Sequence, residues 1–530
     1  LDTLLSQFRG SYIMTAAAYN AGPSRPKQWI EDYGDPRTGQ VDPVDWVEFI
    51  PFSETRNYVQ RVLENTQVYR QRLDANGDGP TLLTPSSSQS ATTGTTASVP
   101  AAPLPSADPA LVALYKRLHA APELSFEESK TSAILAAELE SLGFEVTTGL
   151  GQDWVVEKSM KDNGEVLEGV GGYGVVGVFR NGNGPTVLIR TDMDALPVPE
   201  QTDFPFASTV EAKTWTGVES NVMHACGHDV HMTSWVGTAR ELIARKNKWK
   251  GTLVMIAQPA EEIGLGAEAM LADGLFTRFP KPDYNLALHV SAGAPAGTIN
   301  YSKGFALANV DSVDITVKGV GGHGAYPHTT KDPILVASHI VVALQSLVSR
   351  NTDPQDSAVV TVGSFKAGAK HNIIPDEATL LITVRSYDDK TRQMLLDGIT
   401  RIAKAEAMAF GAPEPDVSIE SDYTPATYND PDTTARTMKA IGKSIGAANV
   451  KEMKPVMGGE DFSQYSRTEE KIPSVIFWVG AVEPEKYAAA QNGGPSLPSL
   501  HSSGFAPDYD PTIATGVEAM TAAAMELFKD

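Results

Sequence analysis

Hydrophobic and polar positions divide the chain into two folding stretches separated by a polar run. Between Thr84 and Pro103, Val99 is the only residue other than Ser, Thr, Ala, Gly, Pro or Gln. Such a composition cannot bury enough apolar surface to offset its conformational entropy. We therefore predict a flexible linker over residues 83–106, with a small unit over 1–82 before it and the main body after it.

In the main body, short apolar runs alternate with segments of helical periodicity. A helix is predicted over 127–142, where Ser125 and Glu128 have the spacing of a capping box and Gly143 ends the apolar face. Buried strands are predicted over 175–180, 186–190, 252–257 and 285–290, the first two joined by the tight turn 181–184. This alternation indicates an α/β domain with a mostly parallel sheet, whose ligands bind at the carboxyl ends of the strands.

A second alternation, between Val310 and Tyr423, has a different order. The predicted elements are a strand over 313–318, a helix over 332–350, strands over 358–365 and 378–386, a helix over 390–410 and a strand over 416–420. The order βαββαβ suits a ferredoxin-like α+β sandwich. We therefore predict one α/β domain over 107–305 and 424–530, with this second domain inserted over 306–423.

Composition and charge narrow the classes of partner. The 530 residues are 42% hydrophobic and 20% charged, so most of the chain should fold, and no run of about 18 apolar residues predicts a membrane span. A net charge of −22 repels phosphate backbones and anionic lipids, which argues against nucleic acid and membrane partners. Because the chain begins with Leu1 rather than Met, we expect a processed product or a fragment, periplasmic or secreted rather than cytoplasmic.

Candidate chemistry is concentrated around the single cysteine. Cys226 lies in the run MHACGHDVH, which holds three of the ten histidines. One cysteine cannot form an internal disulfide. Its thiol is therefore either a buried side chain that only packs, or a group that reacts or binds a metal. A thiolate and an imidazole two residues apart in a turn can reach one divalent ion of the Zn or Mn class, although a polar loop without metal is the alternative.

Paired carboxylates follow two of the predicted strands. Glu261 and Glu262 follow the strand over 252–257, and Asp192 and Asp194 follow the strand over 186–190. Adjacent carboxylates at a strand end repel each other unless a cation neutralises them or one holds a proton. A bound metal accounts for both pairs, whereas the alternative is an exposed acidic turn in an acidic chain.

The main body closely resembles the metallo-amidohydrolases of the aminoacylase and glutamate-carboxypeptidase superfamily, in the branch of hippurate hydrolases and plant auxin-conjugate hydrolases. The matching motifs, in chain order, are DMDALP (192–197), HACGHD (224–229), PAEE (259–262), ALHV (287–290), GGHGAYPH (321–328), NIIP (372–375), Arg385, GEDF (459–462) and His501. The resemblance implies that 107–305 and 424–530 form a zinc-peptidase-like, metal-dependent catalytic domain and that the inserted domain over 306–423 is a lid or dimerisation domain.

The resemblance also implies the roles of individual residues. The implied metal ligands are Cys226, which can bridge two ions, His228, Glu262, His289 and His501. Glu261 becomes the general base, and Asp192, Asp194 and Asp229 orient ligands. Asp192 stands where other branches place a metal-binding histidine, so the cofactor is one or two divalent ions, Zn or Mn.

The resemblance gives the lid a role in binding substrate. It implies that His323 polarises the scissile carbonyl, often from a neighbouring subunit, so we expect a homo-oligomer, a dimer or higher. Asn372 and Arg385 would grip a substrate carboxylate, for which a guanidinium fork is suited; a buried or surface-paired Arg385 is the alternative. We expect the remaining histidines to be structural or to orient the ligands; they are His119, His231, His328, His339 and His371.

The first unit has helical apolar spacing over 15–23 and 45–73, so we predict a small helical segment. Its motifs AYNAG (18–22) and IPFSETRNYV (50–59) resemble the C-terminal end of a soluble lytic transglycosylase. That family's catalytic Glu lies upstream of these motifs, so glycan cleavage is not expected here. A remnant and a glycan-binding segment are both left open.

The leading hypothesis is a metal-dependent amidohydrolase that acts on N-acyl amino acids or related small-molecule amides with a free carboxylate. The body also resembles amidohydrolases that cleave ochratoxin A, an amide of phenylalanine. One alternative is a peptidoglycan-associated carboxypeptidase or glycan-binding protein that uses the N-terminal helical segment; another is a metal-free oligomeric scaffold.

Overall fold

The computed structural model describes residues 104–530 continuously and, before them, residues 7–8, 11–36, 38, 41, 46–47, 49–52, 55 and 59. Nearly all of the predicted linker and most of the predicted helix over 45–73 lie outside the described residues. Spatially the chain forms two units, Leu1–Ala101 with Glu485–Ser496 and Ala102–Pro484 with Leu497–Asp530. The segment Glu485–Ser496 thus differs from the predicted boundaries, which assign it to the catalytic domain.

Among the described residues before the linker, the first unit has the short helices α1 (Tyr12–Ala21) and α2 (Ser24–Tyr33). The side chain of Ser11 accepts a hydrogen bond from the backbone N–H of Met14 and so caps α1. Trp29 of α2 packs edge-to-face on Trp46 with the ring centroids 6.1 Å apart. Both tryptophans are buried, so this small unit has an apolar core of its own.

The second unit is built from helices and strands in alternation. Its longer helices are α3 (Pro109–His119), α4 (Ser129–Ser141), α5 (Gln152–Asn163), α6 (His228–Ala244), α7 (Gly266–Ala272), α8 (Leu275–Arg278), α9 (Pro333–Ser346), α10 (Asp389–Ala409), α11 (Pro431–Ile445), α12 (Gln464–Arg467), α13 (Pro484–Gln491, in which only Pro484 belongs to this unit) and α14 (Tyr509–Leu527). Short 3₁₀ segments are Lys246–Lys248, Pro327–Thr329, Ala447–Asn449 and Asp461–Ser463, and Leu347–Asn351 is a π-helical turn.

The strands of the second unit form a central sheet, a lid sheet and three small ladders. They are β1 (Glu145–Leu150), β2 (Gly174–Arg180), β3 (Thr186–Asp192), β4 (Glu211–Lys213), β5 (Glu219–Asn221), β6 (Thr252–Gln258), β7 (Tyr284–Pro295), β8 (Ile299–Tyr301), β9 (Gly304–Leu307), β10 (Asn309–Lys318), β11 (Gly322–His323), β12 (Ala358–Ala367), β13 (Ile373–Ile374), β14 (Glu377–Ser386), β15 (Asp416–Ile419), β16 (Thr427–Asn429), β17 (Val450–Glu452) and β18 (Ser474–Val482).

The central sheet has eight strands in the order β1-β2-β6-β3-β7-β18-β8-β17. Strands β6, β3, β7 and β18 run parallel, whereas the pairs β1–β2, β2–β6 and β18–β8 are antiparallel. The sheet is therefore mixed, with a parallel centre, rather than mostly parallel. Val187 and Ile189 of β3 enter one apolar core and Leu188 enters the core on the opposite face, as expected for a strand buried on both sides.

The tight turn after β2 does not make a hairpin, because β6 lies between β2 and β3. The side chain of Asn181 donates to the carbonyls of Lys246 and Trp249, just before β6. A Cβ atom at Gly184 would lie 2.7 Å from the carbonyl oxygen of Lys250. The turn is thus built around the entry to β6, a contact from 65 residues away that local spacing does not indicate.

The predicted capping box at the start of α4 is also absent. Glu128 is the N-cap residue, but its side chain makes no capping hydrogen bond. The Glu128 side chain accepts instead from the backbone N–H of Ala260, and the Ser125 hydroxyl donates to Asp194. Both side chains are drawn toward the ends of β6 and β3.

The lid is a four-stranded antiparallel sheet in the order β12-β14-β10-β15, against which α9 and α10 pack. With the chain order β10, α9, β12, β14, α10, β15, this is the predicted ferredoxin-like arrangement. Its core includes Ile315, Ile340, Leu380 and Ile399. The predicted helix over 332–350 is found as α9 followed by the π-helical turn.

One helix in the described part of the chain, Pro333–Asn351, is long and apolar enough to cross a membrane by length and composition alone. Its side chains Val336, Ile340 and Leu344 are buried in the lid core. The core helix of a water-soluble domain meets the same criterion, so one such helix is weak evidence for a membrane span.

The two chain crossings between the lid and the central sheet are joined at Asn309. The buried Asn309 side chain accepts from the backbone N–H of Ala426 at 2.7 Å and donates to the hydroxyl of Ser386 at 3.1 Å. Next to it, the carboxylate of Asp311 accepts three hydrogen bonds from the Arg392 guanidinium. These buried polar contacts fix where the lid begins and ends.

Candidate metal centre and active site

The five predicted metal ligands come from four separate segments of the second unit. Cys226 and His228 flank Gly227 at the start of α6, Glu262 follows β6, and His289 lies within β7. His501 lies in the loop before α14. Gly227 has φ +80°, and a Cβ there would lie 2.6 Å from a methyl carbon of Val290. Only glycine allows this turn to bring Cys226 and His228 against β7.

The structure brings the five side chains together as two sets of three that share Cys226. One set is Cys226, His228 and His289, and the other is Cys226, Glu262 and His501. The Cys226 sulfur lies 3.5 Å from Nε2 of His289 and 3.3 Å from Nε2 of His501. Glu262 lies 3.5 Å from Nε2 of His501 and 3.6 Å from Nε2 of His228.

The hydrogen bonds around these donors fit a bound cation. Nδ1 of His228 bonds the carbonyl oxygen of Asp194, and Nδ1 of His289 bonds that of Val290, both at 2.7 Å. Each ring therefore donates from Nδ1 and turns its Nε2 toward the centre. Nε2 of His228 and Oε1 of Glu262 are buried and have no hydrogen-bond partner among the described residues, and an ion bound by both would satisfy them.

Electrostatics also favours a cation at this position. Burial, together with Glu262, Glu261 and Asp192, raises the pKa of the Cys226 thiol well above its usual range. Burial raises the pKa of Glu262 to about 8. Because the thiolate and the carboxylate are the forms that bind metal, a divalent ion is needed to hold both groups ionised. The sulfur, imidazole and carboxylate set suits Zn or Mn, and two sets that share Cys226 can hold two ions.

Glu261 and Asp194 lie next to the donor sets. An oxygen of Glu261 is 3.8 Å from Nε2 of His228. The Asp194 carboxylate accepts from the backbone N–H groups of Glu261 at 3.1 Å and Glu262 at 3.0 Å. Asp194 therefore positions the loop that carries both glutamates, and through its carbonyl it also orients His228.

Asp192 is fully buried beside His228, with 3.7 Å between its Oδ2 and His228 Nε2. Its Oδ1 accepts from Nδ1 of His231 at 2.7 Å, and Nε2 of His231 accepts from the Val290 N–H at 2.8 Å. Burial lowers the pKa of His231 to about 3. His231, assigned a structural role from the sequence, is thus a neutral imidazole that ties Asp192 to β7.

Asp229 does not contact a proposed ligand with its carboxylate, which differs from its predicted role. Its Oδ2 lies 2.7 Å from Nδ1 of His119, whose Nε2 lies 2.9 Å from Glu200. Asp229 points away from His228 because consecutive helical side chains leave α6 in different directions. The Asp229 carboxylate instead joins α6 to α3 and to the loop that contains Glu200.

On the lid, the short ladder β11–β13 brings His323 and Asn372 together. The N–H of Gly324 donates to the carbonyl of Asn372 at 2.9 Å. His323 and Asn372 are both exposed. Within the described part of the chain, no hydrogen bond or ion pair links either side chain to the five ligands. His328 and His371 are also exposed, and His339 contacts Phe410 edge-to-face on the lid surface.

Arg385 is half-buried on β14. Its Nη1 approaches the loop before Glu460, where a Cβ on Gly459 would lie 3.7 Å away. Its Nε donates to the hydroxyl of Thr383 at 3.2 Å. Among the described residues it forms no ion pair, unlike Arg392 nearby, which is paired with Asp311.

Sequence reasoning missed Arg190, which is fully buried on β3 beneath the site. Its guanidinium contacts Asp192 and Glu460 at 2.8 Å, Asp461 at 3.1 Å and the side chain of Gln258 at 2.9 Å. In the sequence, Glu460 and Asp461 stand out only as part of the motif GEDF (459–462). The available signal is a charged residue that continues the apolar pattern of a buried strand.

Comparisons with known proteins agree with this geometry. Residues 188–499 match peptidase family M20/M25/M40, and residues 49–77 match the soluble lytic transglycosylase helical domain. The chain is 38% identical over 351 residues to hippurate hydrolase of Campylobacter jejuni, covering 65% of this chain and 82% of that protein. It is 35% identical over 372 residues to the Arabidopsis thaliana IAA-amino acid hydrolase ILR1-like 4, and this match covers 70% of this chain and 77% of that protein.

A solved structure shares the fold. The Bacillus subtilis YXEP protein, described as a dinuclear metal binding peptidase from the M20 family, aligns with a TM-score of 0.58 and 29% identity, over 78% of this chain and 97% of that one. The chain belongs to peptidase family M20/M25/M40. It is a hydrolase with the α/β fold of that family and a divalent metal cofactor, as the sequence predicted.

Replacing Arg190 should strongly destabilise the second unit. Arg190→Met leaves the carboxylates of Asp192, Glu460 and Asp461 buried without their cation, which should cost about 3–5 kcal/mol of unfolding free energy. The matched control is Arg180→Met, which removes an exposed ion pair with Glu145 and should cost about 1 kcal/mol or less. Urea unfolding measures both, and equal losses would contradict the role given to Arg190.

His119 should make stability pH-dependent. Burial alone would lower the pKa of His119, but its hydrogen bonds to Asp229 and Glu200 raise it to about 9. Because the folded pKa lies above the unfolded value of about 6.5, this contribution, roughly 3 kcal/mol, is complete below pH 6.5 and is lost as the pH rises through 9.

The measurement is urea unfolding between pH 6 and pH 10. The variant His119→Gln should be less stable than wild type at pH 6 and should lose less stability on the way to pH 10. His339→Gln, at an exposed histidine, is the control and should follow the wild-type profile. Parallel curves for wild type and His119→Gln would refute the assignment.

Proposed function

We propose that this enzyme hydrolyses the amide bond of N-acyl amino acids and related small-molecule amides that carry a free carboxylate, using Zn or Mn. The observation that carries the proposal is the pair of donor sets sharing Cys226, with the Glu261 carboxylate beside them. The matched relatives support the substrate class, since their names describe hydrolysis of hippurate and of amino-acid conjugates.

In the proposed reaction, the chain's own groups position the reactants and move one proton. Cys226, His228, Glu262, His289 and His501 hold the metal, which when bound lowers the pKa of a water and polarises the carbonyl. Glu261 accepts the proton of the water as its oxygen bonds the carbonyl carbon. Glu261 then gives that proton to the amide nitrogen as the C–N bond breaks, which releases an acid and a free amine.

Arg385 is proposed to bind the substrate carboxylate. Its half-buried guanidinium has no ion-pair partner among the described residues, and burial lowers its pKa. A carboxylate that bonds both guanidinium nitrogens would offset this loss of hydration. Asn372 is proposed to help from the neighbouring lid segment.

An aromatic amino-acid half, as in ochratoxin A, is a narrower form of the proposal. Trp154 and Trp215 are partly buried against Phe126, in an apolar cluster that includes Ala260, the residue before Glu261. This cluster supports an aromatic preference because it places aromatic surface directly behind the catalytic loop. A preference for aliphatic substrates would argue against it.

A homo-oligomer is proposed to complete the site. His323 and Asn372 are exposed on the lid, and a second copy of the chain could bring His323 to the scissile carbonyl. The apolar side chains Ile334, Leu335 and Val342 of α9 are also exposed on the lid, which supports contact between copies through this domain.

The N-terminal unit is proposed to mark a periplasmic or secreted protein. Support comes from the match of residues 49–77 to the soluble lytic transglycosylase helical domain. No catalytic group of the proposed reaction lies in this unit. Residues 1–105 are therefore proposed to be dispensable for hydrolysis.

The substitution Glu261→Gln tests the proposed chemistry. It should keep the fold and the metal content but lower kcat about 10²–10⁴-fold, the range for a positioned proton-transfer group. Metal analysis and hydrolysis of a panel of N-acyl amino acids, each paired with its carboxyl methyl ester and assayed with Mn, Zn or Co, measure both. Cys226→Ala is the contrasting variant and should lose metal. Retained activity in Glu261→Gln, or esters cleaved as fast as acids, would contradict the proposal.

Mixing two inactive variants tests the role of the second copy. If His323 acts across a subunit boundary, hybrids of His323→Ala and Glu261→Gln chains contain one site with both groups intact, and activity should return. Differently tagged chains show whether subunits exchange. If the subunits exchange but activity does not return, His323 acts in the site of its own chain.

A further inference from the structure

Ala260, directly before the proposed base Glu261, has an unfavourable backbone conformation. Its φ is +51°, in the left-handed region that non-glycine residues rarely adopt, and the residue is fully buried. Such a conformation persists only where surrounding contacts impose it. The direction of the Glu261 side chain therefore depends on whatever holds this turn.

Two buried carboxyl groups hold the turn by its backbone. The N–H groups of Ala260, Glu261 and Glu262 all point to carboxylate oxygens, the last two to Asp194. The first donates to Oε1 of Glu128 at 2.8 Å. Successive N–H groups around a left-handed residue form a concavity that binds an anion, and here the chain fills that concavity with its own side chains.

Glu128 reaches this position from a segment that is itself constrained. Phe126 has φ +63° and is buried, and its carbonyl accepts from Gly171 at 2.9 Å. The Ser125 hydroxyl donates to Asp194 at 2.6 Å. The short segment before α4 thus carries one of the carboxyl groups that hold the turn, that of Glu128, and through Ser125 it contacts the other, that of Asp194.

The surroundings of Glu128 do not suit a purely structural residue. Its side chain is fully buried, and within the described residues its Oε2 has no hydrogen-bond partner. An apolar side chain at this N-cap would avoid the cost of burying that oxygen. The one contact that an apolar residue could not replace is the bond to the Ala260 N–H.

We propose that Glu128 is a positioning residue for the hydrolysis, which by accepting the Ala260 N–H holds the left-handed turn that aims Glu261 at the two donor sets. This inference rests on the proposed function, because the role of Glu261 as base belongs to it. Glu128 does not touch the donor sets and acts only through the backbone of residues 260–262.

The test compares three substitutions in the full-length, metal-loaded protein. Glu128→Gln keeps an acceptor oxygen and should retain kcat within about threefold. Glu128→Leu removes the acceptor at similar volume and should lower kcat about 10²-fold, the effect of misplacing a catalytic group by about 1 Å, with KM and metal content unchanged. Glu128→Asp, one methylene shorter, should fold and also lower kcat, so the test survives if the Leu variant does not fold.

The matched control is Leu135→Ala, which removes a buried side chain from the same helix without touching the turn. It should lower the Tm without lowering kcat. Amide hydrogen exchange in residues 259–265 is a second readout: it should accelerate locally in Glu128→Leu and Glu128→Asp, but not in Glu128→Gln.

Three results would overturn the proposal. The first is a kcat of Glu128→Leu or Glu128→Asp equal to that of Leu135→Ala. The second is a kcat of Glu128→Gln as low as that of Glu128→Asp. The third is amide hydrogen exchange in residues 259–265 that is unchanged in Glu128→Leu and Glu128→Asp. The exchange measurement does not depend on turnover. A wild-type enzyme inactive on the whole substrate panel would refute the proposed function, while the exchange result would still decide whether Glu128 holds the turn.

Discussion

Compensation of buried negative charge is the constraint on which this structure depends. Asp192, Glu460 and Asp461 are buried at one end of the central sheet, and ions taken out of water repay that cost only with well-placed partners. Arg190 supplies a permanent cation for all three on one side of the centre. On the other side, burial raises the pKa of Glu262 and of the Cys226 thiol, and a divalent ion held by both groups would favour their ionised forms.

Much of this arrangement is predictable because its signals are local. The run from Cys226 to His228 places a thiol and an imidazole on one turn, and Glu261 and Glu262 follow an apolar run that only a buried strand explains. The lid is predictable for the same reason, since its strands and helices have distinct periods. The resemblance supplies the two distant ligands, His289 and His501, which spacing alone could not assign to the same centre.

The features that sequence reasoning missed all depend on partners far away in the chain. Glu128 has the spacing of a helix cap but bonds Ala260, 132 residues later. The turn after β2 has the composition of a hairpin, yet β6 intervenes. Asp229 adjoins a ligand in sequence and bonds His119 in space. At Glu128 and Asp229 a local preference yields to a buried polar contact that costs more to leave unmade.

The order of the ligands along the chain has a consequence for biosynthesis. The Cys226 sulfur and Nε2 of His501 lie 3.3 Å apart although 275 residues separate them, and the whole lid lies between. A chain emerging from the ribosome carries one donor set long before it can form the other. The donor set that contains His501 therefore cannot form until the lid and the segment after it have been synthesised.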